Sequence, residues 1–185
     1  MNRVELHVIA GLGGWFTGRG TRWLDQVFDD LSVIWDATWW THQSYKKIAA
    51  GIIARQKRYK DNPTVILVGH SYGALRCKQI AVMLKAAGIE VDYIAGIDAT
   101  CLPRNEPKMV IPTSVEYVDE FWSSLGWFNC PLRARRYTPD GSKGGKYVYP
   151  RGVSHKIYKI NAGHIQTASA PRTRNIIVQK VMSLV

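Results

Sequence analysis

The stretch that decides the fold reads Asn62-Pro63-Thr64-Val65-Ile66-Leu67-Val68-Gly69-His70-Ser71-Tyr72-Gly73. Residues 64–68 are five strand formers introduced by a turn-favouring Asn-Pro pair, which predicts a strand. After Tyr72 the period changes. Cys77, Ile80, Ala81 and Leu84 recur at i, i+3, i+4 and i+7, which predicts a helix over 72–87 with Gly88 ending it. Between the two lies Gly69-His70-Ser71-Tyr72-Gly73, of the form G-x-S-x-G. A sharp strand-to-helix turn lifts the serine hydroxyl above the sheet edge, and the flanking glycines let backbones pass closely. Chance composition alone would put this string in about 6% of chains this long. The strand–turn–helix context is what gives it meaning. The competing reading is a tight turn with a bystander serine.

Outward from this point the same alternation continues. Residues 4–10 form a short apolar run ending in glycines and predict a strand. A helix is expected over 21–31, with Trp23, Leu24, Val27, Phe28 and Leu31 on its apolar face, then a short strand at 33–35. A helix over 44–60 places Ile48, Ile52 and Tyr59 on one side. Strands are expected at 91–97, 114–118 and 156–160. A last helix over 172–184, with Pro171 near its start, carries Ile177, Val181 and Leu184 on one face. Residues 129–155, rich in Gly, Pro and basic side chains, are expected to form a long loop. Strands alternating with helices imply an α/β fold, a mostly parallel sheet with helices on both faces. With 185 residues, the chain is expected to be a single domain over residues 1–185.

Composition narrows the class further. The chain is 46% hydrophobic and 21% charged, with 16 Gly and 8 Pro, which excludes a disordered or collagen-like chain. Its three cysteines, Cys77, Cys101 and Cys130, have neither zinc-ligand spacing nor the look of a disulfide framework. No apolar stretch approaches the ~20 residues that span a bilayer, and no secretory signal is visible at the start. A cytoplasmic protein is the expectation. No metal and no cofactor are expected.

A serine hydroxyl is a weak nucleophile and needs a base, usually a histidine held by a carboxylate. On this architecture the order is serine, acid, histidine, each just past the carboxyl end of a strand. Of the five histidines, His7 and His42 precede the serine. His70 adjoins it and is expected to point away from it. His155 begins a strand and belongs to the wrong edge. His164 follows that strand, in Asn161-Ala162-Gly163-His164, and is the candidate. Two acids compete: Asp98, in Gly96-Ile97-Asp98-Ala99-Thr100, and Asp119, in Val118-Asp119-Glu120. Asp98 is preferred and Asp119 is the alternative; a capping carboxylate and a solvated charge are their bland readings. The glycine-rich turn Gly11-Leu12-Gly13-Gly14-Trp15 can aim a backbone N–H at an oxyanion, with Leu12 the first choice and Gly13 next. Tyr72, following the nucleophile, supplies a second N–H. The glycines lack the full G-x-G-x-x-G spacing and no Lys-Ser/Thr pair follows, which argues against nucleotide binding.

Together these elements resemble the α/β-hydrolase superfamily, and within it the compact, cap-free lipases, cutinases and thioesterases. The resemblance runs over nearly the whole chain, from the turn at Gly11 through the elbow at Ser71 and Asp98 to His164. It implies a serine hydrolase that cleaves a carboxylic ester or thioester through an acyl-serine intermediate. In many members of the superfamily the acid follows a later strand, as Asp119 would. In some lipases it follows the strand after the elbow, in a context similar to Gly96-Ile97-Asp98. Trp15, Phe16, Trp39, Trp40, Trp122, Trp127 and Phe128 fall in segments expected at the carboxyl edge, where aromatics line a pocket for a lipid-like group or pack beneath loops.

The formal net charge of +11 is uneven. Residues 1–128 carry a net of +1, residues 129–160 a net of +7, and the remainder +3. The basic segment containing Arg133, Arg135 and Arg136 is expected either to rim the site and favour an anionic small-molecule or lipid-like ester, or to be a solvated loop. The alternative function is a catalytically weak binding module that meets anionic partners through its basic C-terminal third. No specific nucleic acid partner is predicted.

Overall fold

A computed structural model describes residues 3–11, 36–40, 42–101, 108–125 and 135–184. In chain order its strands are β1 (Val4–Ile9), β2 (Asp36–Trp40), β3 (Thr64–His70), β4 (Val91–Ile97), β5 (Thr100–Cys101), β6 (Lys108–Val110), β7 (Val115–Ser123), β8 (Arg135–Thr138), β9 (Gly144–Val148) and β10 (Ser154–Ile160). The helices are α1 (Tyr45–Tyr59), α2 (Tyr72–Ala86), α3 (His164–Ser169) and α4 (Pro171–Ser183).

Six strands make one sheet in the order β10-β7-β4-β3-β1-β2, and every pairing is parallel. The apolar run at β3 lies in the middle because it is apolar on both faces. Val65 and Leu67 face the core under α1 and α2, while Ile66 and Val68 face the core under α4. Helix α2 buries the predicted stripe of Cys77, Ile80, Ala81 and Leu84 completely. Helix α4 lays Ile177 and Val181 on the opposite face of the sheet. The crossovers of a parallel sheet lay helices on its two faces, and strands that are apolar on both sides need such cover.

From β1 the chain moves outward to β2, then returns past β1 to β3 and continues the other way. The order therefore reverses between β1 and β3. In open α/β sheets that reversal leaves a crevice beyond the carboxyl ends of the strands. Gly11 follows β1 and Ser71 follows β3, so both stand at this crevice.

Three segments differ from their sequence reading. The helix expected over 21–31 and the strand over 33–35 lie outside the described residues. The strand found in that region is β2, which makes Trp39 and Trp40 strand residues rather than loop residues. The strand expected at 114–118 runs on to Ser123, so Asp119 and Trp122 lie within it. The strand read from the sequence ends just before Asp119 and Glu120, but both are buried and accommodated. The long loop expected over 129–155 contains β8 and β9, which join β5 and β6 in a second sheet of order β5-β8-β9-β6. Its strands are two to five residues long. Met109, Tyr137 and Tyr147 tie this sheet into the core beside α2. Among the described residues no helix is long and apolar enough to cross a membrane.

Candidate active site

Ser71 sits between β3 and α2 with φ 58 and ψ −122, a conformation that a residue with a Cβ adopts only under strain. The elbow is held from several directions. The Ser71 N–H donates to the Ile97 carbonyl at 2.8 Å, and the Thr100 N–H donates to the Ser71 carbonyl at 3.1 Å. The flanking glycines are needed for space. A Cβ on Gly73 would lie 2.0 Å from the Ile9 carbonyl oxygen, and one on Gly69 would lie 2.6 Å from the Ala74 nitrogen. Gly11 abuts the serine itself, since a Cβ there would stand 2.6 Å from Ser71 Cβ.

The structure brings Ser71, His164 and Asp98 together. Ser71 Oγ is 3.0 Å from His164 Nε2, and His164 Nδ1 is 2.6 Å from Asp98 Oδ2. Burial pushes the Asp98 carboxyl up, but the bond and charge of His164, the Arg136 guanidinium and the Ser123 N–H hold it below the ordinary carboxylate value. Asp98 is therefore an anion that can only accept, so Nδ1 of His164 carries the proton and donates to it. In the neutral ring Nε2 is then bare, and the Ser71 hydroxyl donates to it. Asp98 has φ 43, so two of the three non-glycine residues with positive φ among the described residues belong to this group.

Asp119 lies elsewhere. It is mid-strand in β7 and accepts a hydrogen bond from the Tyr93 hydroxyl at 2.9 Å. His155 lies in β10, where its ring stacks on Tyr149 at 3.8 Å between centroids. Leu12, Gly13, Trp15, Phe16, Trp127 and Phe128 lie outside the described residues. Tyr72 opens helix α2, so its backbone N–H lies in the first turn, where helix dipoles favour negative charge. Trp122 is half-buried in β7 with the Lys159 ammonium 5.5 Å from its ring centroid.

Three site residues were not singled out from the sequence. The first is His70. Its Nε2–H donates to the His164 backbone carbonyl at 3.1 Å, and the two rings lie 4.8 Å apart. Burial pushes His70 down to about 4, helped by the charge of His164, so it is a neutral donor near pH 7. The second is Thr100, whose Oγ1 is 3.0 Å from Ser71 Oγ. With the serine proton directed at His164, the Thr100 hydroxyl is the donor in this pair. The third is Arg136, which was counted with the basic rim. It turns inward instead and is buried, with Nη2 2.5 Å from Asp98 Oδ1. Thr100 and Arg136 face each other across the β5–β8 pairing. Of the other basic residues in the segment, Lys143, Lys146, Arg151, Lys156 and Lys159 are exposed, the last two on the edge strand β10. Lysines on an edge strand also discourage pairing with other chains. Among the described residues no group of three or more His, Cys, Asp or Glu is placed to hold a metal ion.

No protein-family model matches the chain, and no curated protein matches it. Solved structures do. Human thioesterase 2 aligns over 98% of this chain and 95% of its own, with a TM-score of 0.55 and 12% identity. BorB, a type II thioesterase from the borrelidin biosynthetic cluster, aligns over 98% and 92%, with a TM-score of 0.54 and 11% identity. A hydrolase of the α/β superfamily from Xanthomonas campestris pv. campestris aligns over 96% and 99%, with a TM-score of 0.56 and 12% identity. The fold is that of the α/β hydrolases.

Proposed function

We propose that the protein is a serine hydrolase that cleaves a carboxylic ester or thioester through an acyl-serine intermediate. The observation that carries this reading is the relay of Ser71, His164 and Asp98 at 3.0 and 2.6 Å, standing where the strand order reverses. Ser71 Oγ attacks the acyl carbon while its proton passes to His164 Nε2. The imidazolium so formed is stabilised by Asp98 through Nδ1–H. The tetrahedral oxyanion accepts from the Tyr72 N–H and from an N–H of the glycine-rich turn, Leu12 or Gly13. On collapse the alcohol or thiol leaves with the proton from Nε2. Water then attacks the acyl-serine, gives a proton to Nε2, and Ser71 Oγ leaves and recovers it.

Two exposed apolar residues lie close to His164 in the chain or in backbone contact with the segment before it. Ile165, beside His164, and Leu125, whose N–H reaches the Ala162 carbonyl, are 41% and 55% exposed. The names of human thioesterase 2 and BorB make a thioester worth testing beside an oxoester.

The experiment is labelling with a fluorophosphonate probe, then turnover of p-nitrophenyl esters and N-acetylcysteamine thioesters of graded chain length. Wild-type protein should label and turn over. Ser71→Ala should do neither while keeping its far-UV circular dichroism. Full turnover by Ser71→Ala would sink the reading.

A further inference from the structure

We propose that Arg136 is a positioning residue of the acyl-transfer machinery, clamping Asp98 in place and sharing the negative charge on which His164 relies. The inference rests on the serine-hydrolase reading and goes beyond its three central residues.

The geometry is specific. Arg136 Nη2 donates to Asp98 Oδ1 at 2.5 Å, to the Ser123 carbonyl at 2.8 Å and to Ser123 Oγ at 2.7 Å. Ser123 in turn gives its N–H to Asp98 Oδ1 at 3.1 Å and its hydroxyl to Oδ2 at 2.9 Å. The carboxylate is thus held at both oxygens. Oδ1 accepts from Arg136 and the Ser123 N–H, and Oδ2 accepts from the Ser123 hydroxyl and from His164 Nδ1–H. Asp98 has a positive φ, and these bonds hold its carboxylate in direction.

Burial makes the pairing informative. The Arg136 side chain is 7% exposed and that of Asp98 fully covered. A buried Arg–carboxylate pair seldom stabilises a fold more than apolar residues of equal volume would. The pair stands instead at the point where a proton relay needs a fixed anion. Its electrostatic effect there has a definite sign. When His164 takes the Ser71 proton, the imidazolium is stabilised by Asp98. The guanidinium on the far oxygen offsets part of that charge, so its removal would strengthen the hold of Asp98 on the imidazolium. Among the described residues, Asp98 is faced by His164, His70, Arg136, Ser123 and the Tyr147 phenol, and the groups facing His164 include Asp98, Ser71 and the ring of His70. Tyr147 stays neutral because burial pushes its hydroxyl up, and His70 is neutral near pH 7. Arg136 is the permanent cation in this set.

The test uses Arg136→Met and Arg136→Lys in the full chain. The imidazole C2–H of His164 is titrated by NMR, assigned with His164→Gln, and the acid limb of kcat/KM is measured on a p-nitrophenyl ester. Arg136→Met should raise the His164 midpoint, and the acid limb with it, by about one pH unit. Arg136→Lys keeps a positive charge on a shorter stem, whose ammonium does not reach the place from which Nη2 serves its three acceptors. It should leave the midpoint near that of the wild type and lower kcat about tenfold. A folded Arg136→Met protein with an unmoved midpoint overturns the proposal. If that variant fails to fold, Arg136→Lys decides: wild-type kcat overturns the proposal, and lowered kcat at an unmoved midpoint supports it. The titration needs no turnover. A shifted midpoint in a protein that the fluorophosphonate does not label would therefore retire the hydrolase reading and leave the Arg136–Asp98–His164 coupling standing.

Discussion

His70 offers a quantitative test of how the elbow is built. Its ring is 8% exposed, and its folded value of about 4 lies below the ordinary 6.5. Between those two values the unfolded chain binds a proton that the folded chain refuses. Stability therefore rises with pH at about 1.4 kcal/mol per unit across that interval. The contribution is complete above pH 6.5 and is lost as pH falls toward 4. Over the whole interval it amounts to about 3 kcal/mol, a large share of the 5–15 kcal/mol typical of a folded domain. The informative variant is His70→Gln. A glutamine Nε2 can take the place of the ring Nε2–H that donates to the His164 carbonyl, and it does not titrate. Urea unfolding of both proteins at half-unit steps from pH 7.5 to 4 gives the comparison. Carboxylates such as Asp98 and Glu5 contribute to both curves and cancel in the difference. The two curves should separate steadily below pH 6.5, with the variant the less pH-sensitive. Parallel curves would refute the argument, since they would mean that His70 accepts a proton in place.

Three further outcomes follow from particular contacts. Thr100→Val keeps the shape but removes the hydroxyl that donates to Ser71 Oγ, and should lower kcat about three- to tenfold with little change in urea midpoint. Gly73→Ala drives a Cβ into the Ile9 carbonyl oxygen, and should cost several kcal/mol of stability, about 3 or more, measured by thermal or urea unfolding. Glu120 is fully buried with Oε2 unpartnered, and burial holds its carboxyl well above the ordinary 4.5. Its folded form thus keeps a proton that the unfolded chain releases, so stability falls as pH rises above 4.5. Glu120→Gln should flatten that fall in urea titrations between pH 5 and 8.

The sequence shows some parts of this site plainly and hides others for physical reasons. The elbow is legible because β3 is apolar on both faces and α2 starts its helical period at once, leaving Ser71 alone between strand and helix. His164 is legible from chain order and sheet edge. Asp119 competes with Asp98 because the strand read over 114–118 ends just before it, at the same edge of the sheet. In the folded chain it and its neighbour are each absorbed: Asp119 by the Tyr93 hydroxyl, Glu120 by protonation and by the space that Gly96 leaves for its carboxyl. Arg136 is hidden for the opposite reason. In a segment with eight basic residues and one acidic one, nothing local marks which arginine turns inward. The signal lies in pairing across the chain, Thr100 with Arg136 and Tyr137 with Ala99, and such non-local contacts leave no period to read. The strands β8 and β9 are hidden on the same ground, being four and five residues long in a stretch rich in glycine.

The small sheet has a consequence for how the protein fails on heating. Strands this short have few hydrogen bonds to lose, and such units open locally well before a whole chain unfolds. Yet one rung of that sheet delivers both the hydroxyl at Ser71 and the cation at Asp98. Detaching β8 from β5 would strand a covered anion and slacken the relay while the six-stranded sheet stayed intact. Inactivation should therefore run ahead of global melting. The Tyr137 amide, bonded to the Ala99 carbonyl at 3.0 Å, is the place to watch by hydrogen exchange.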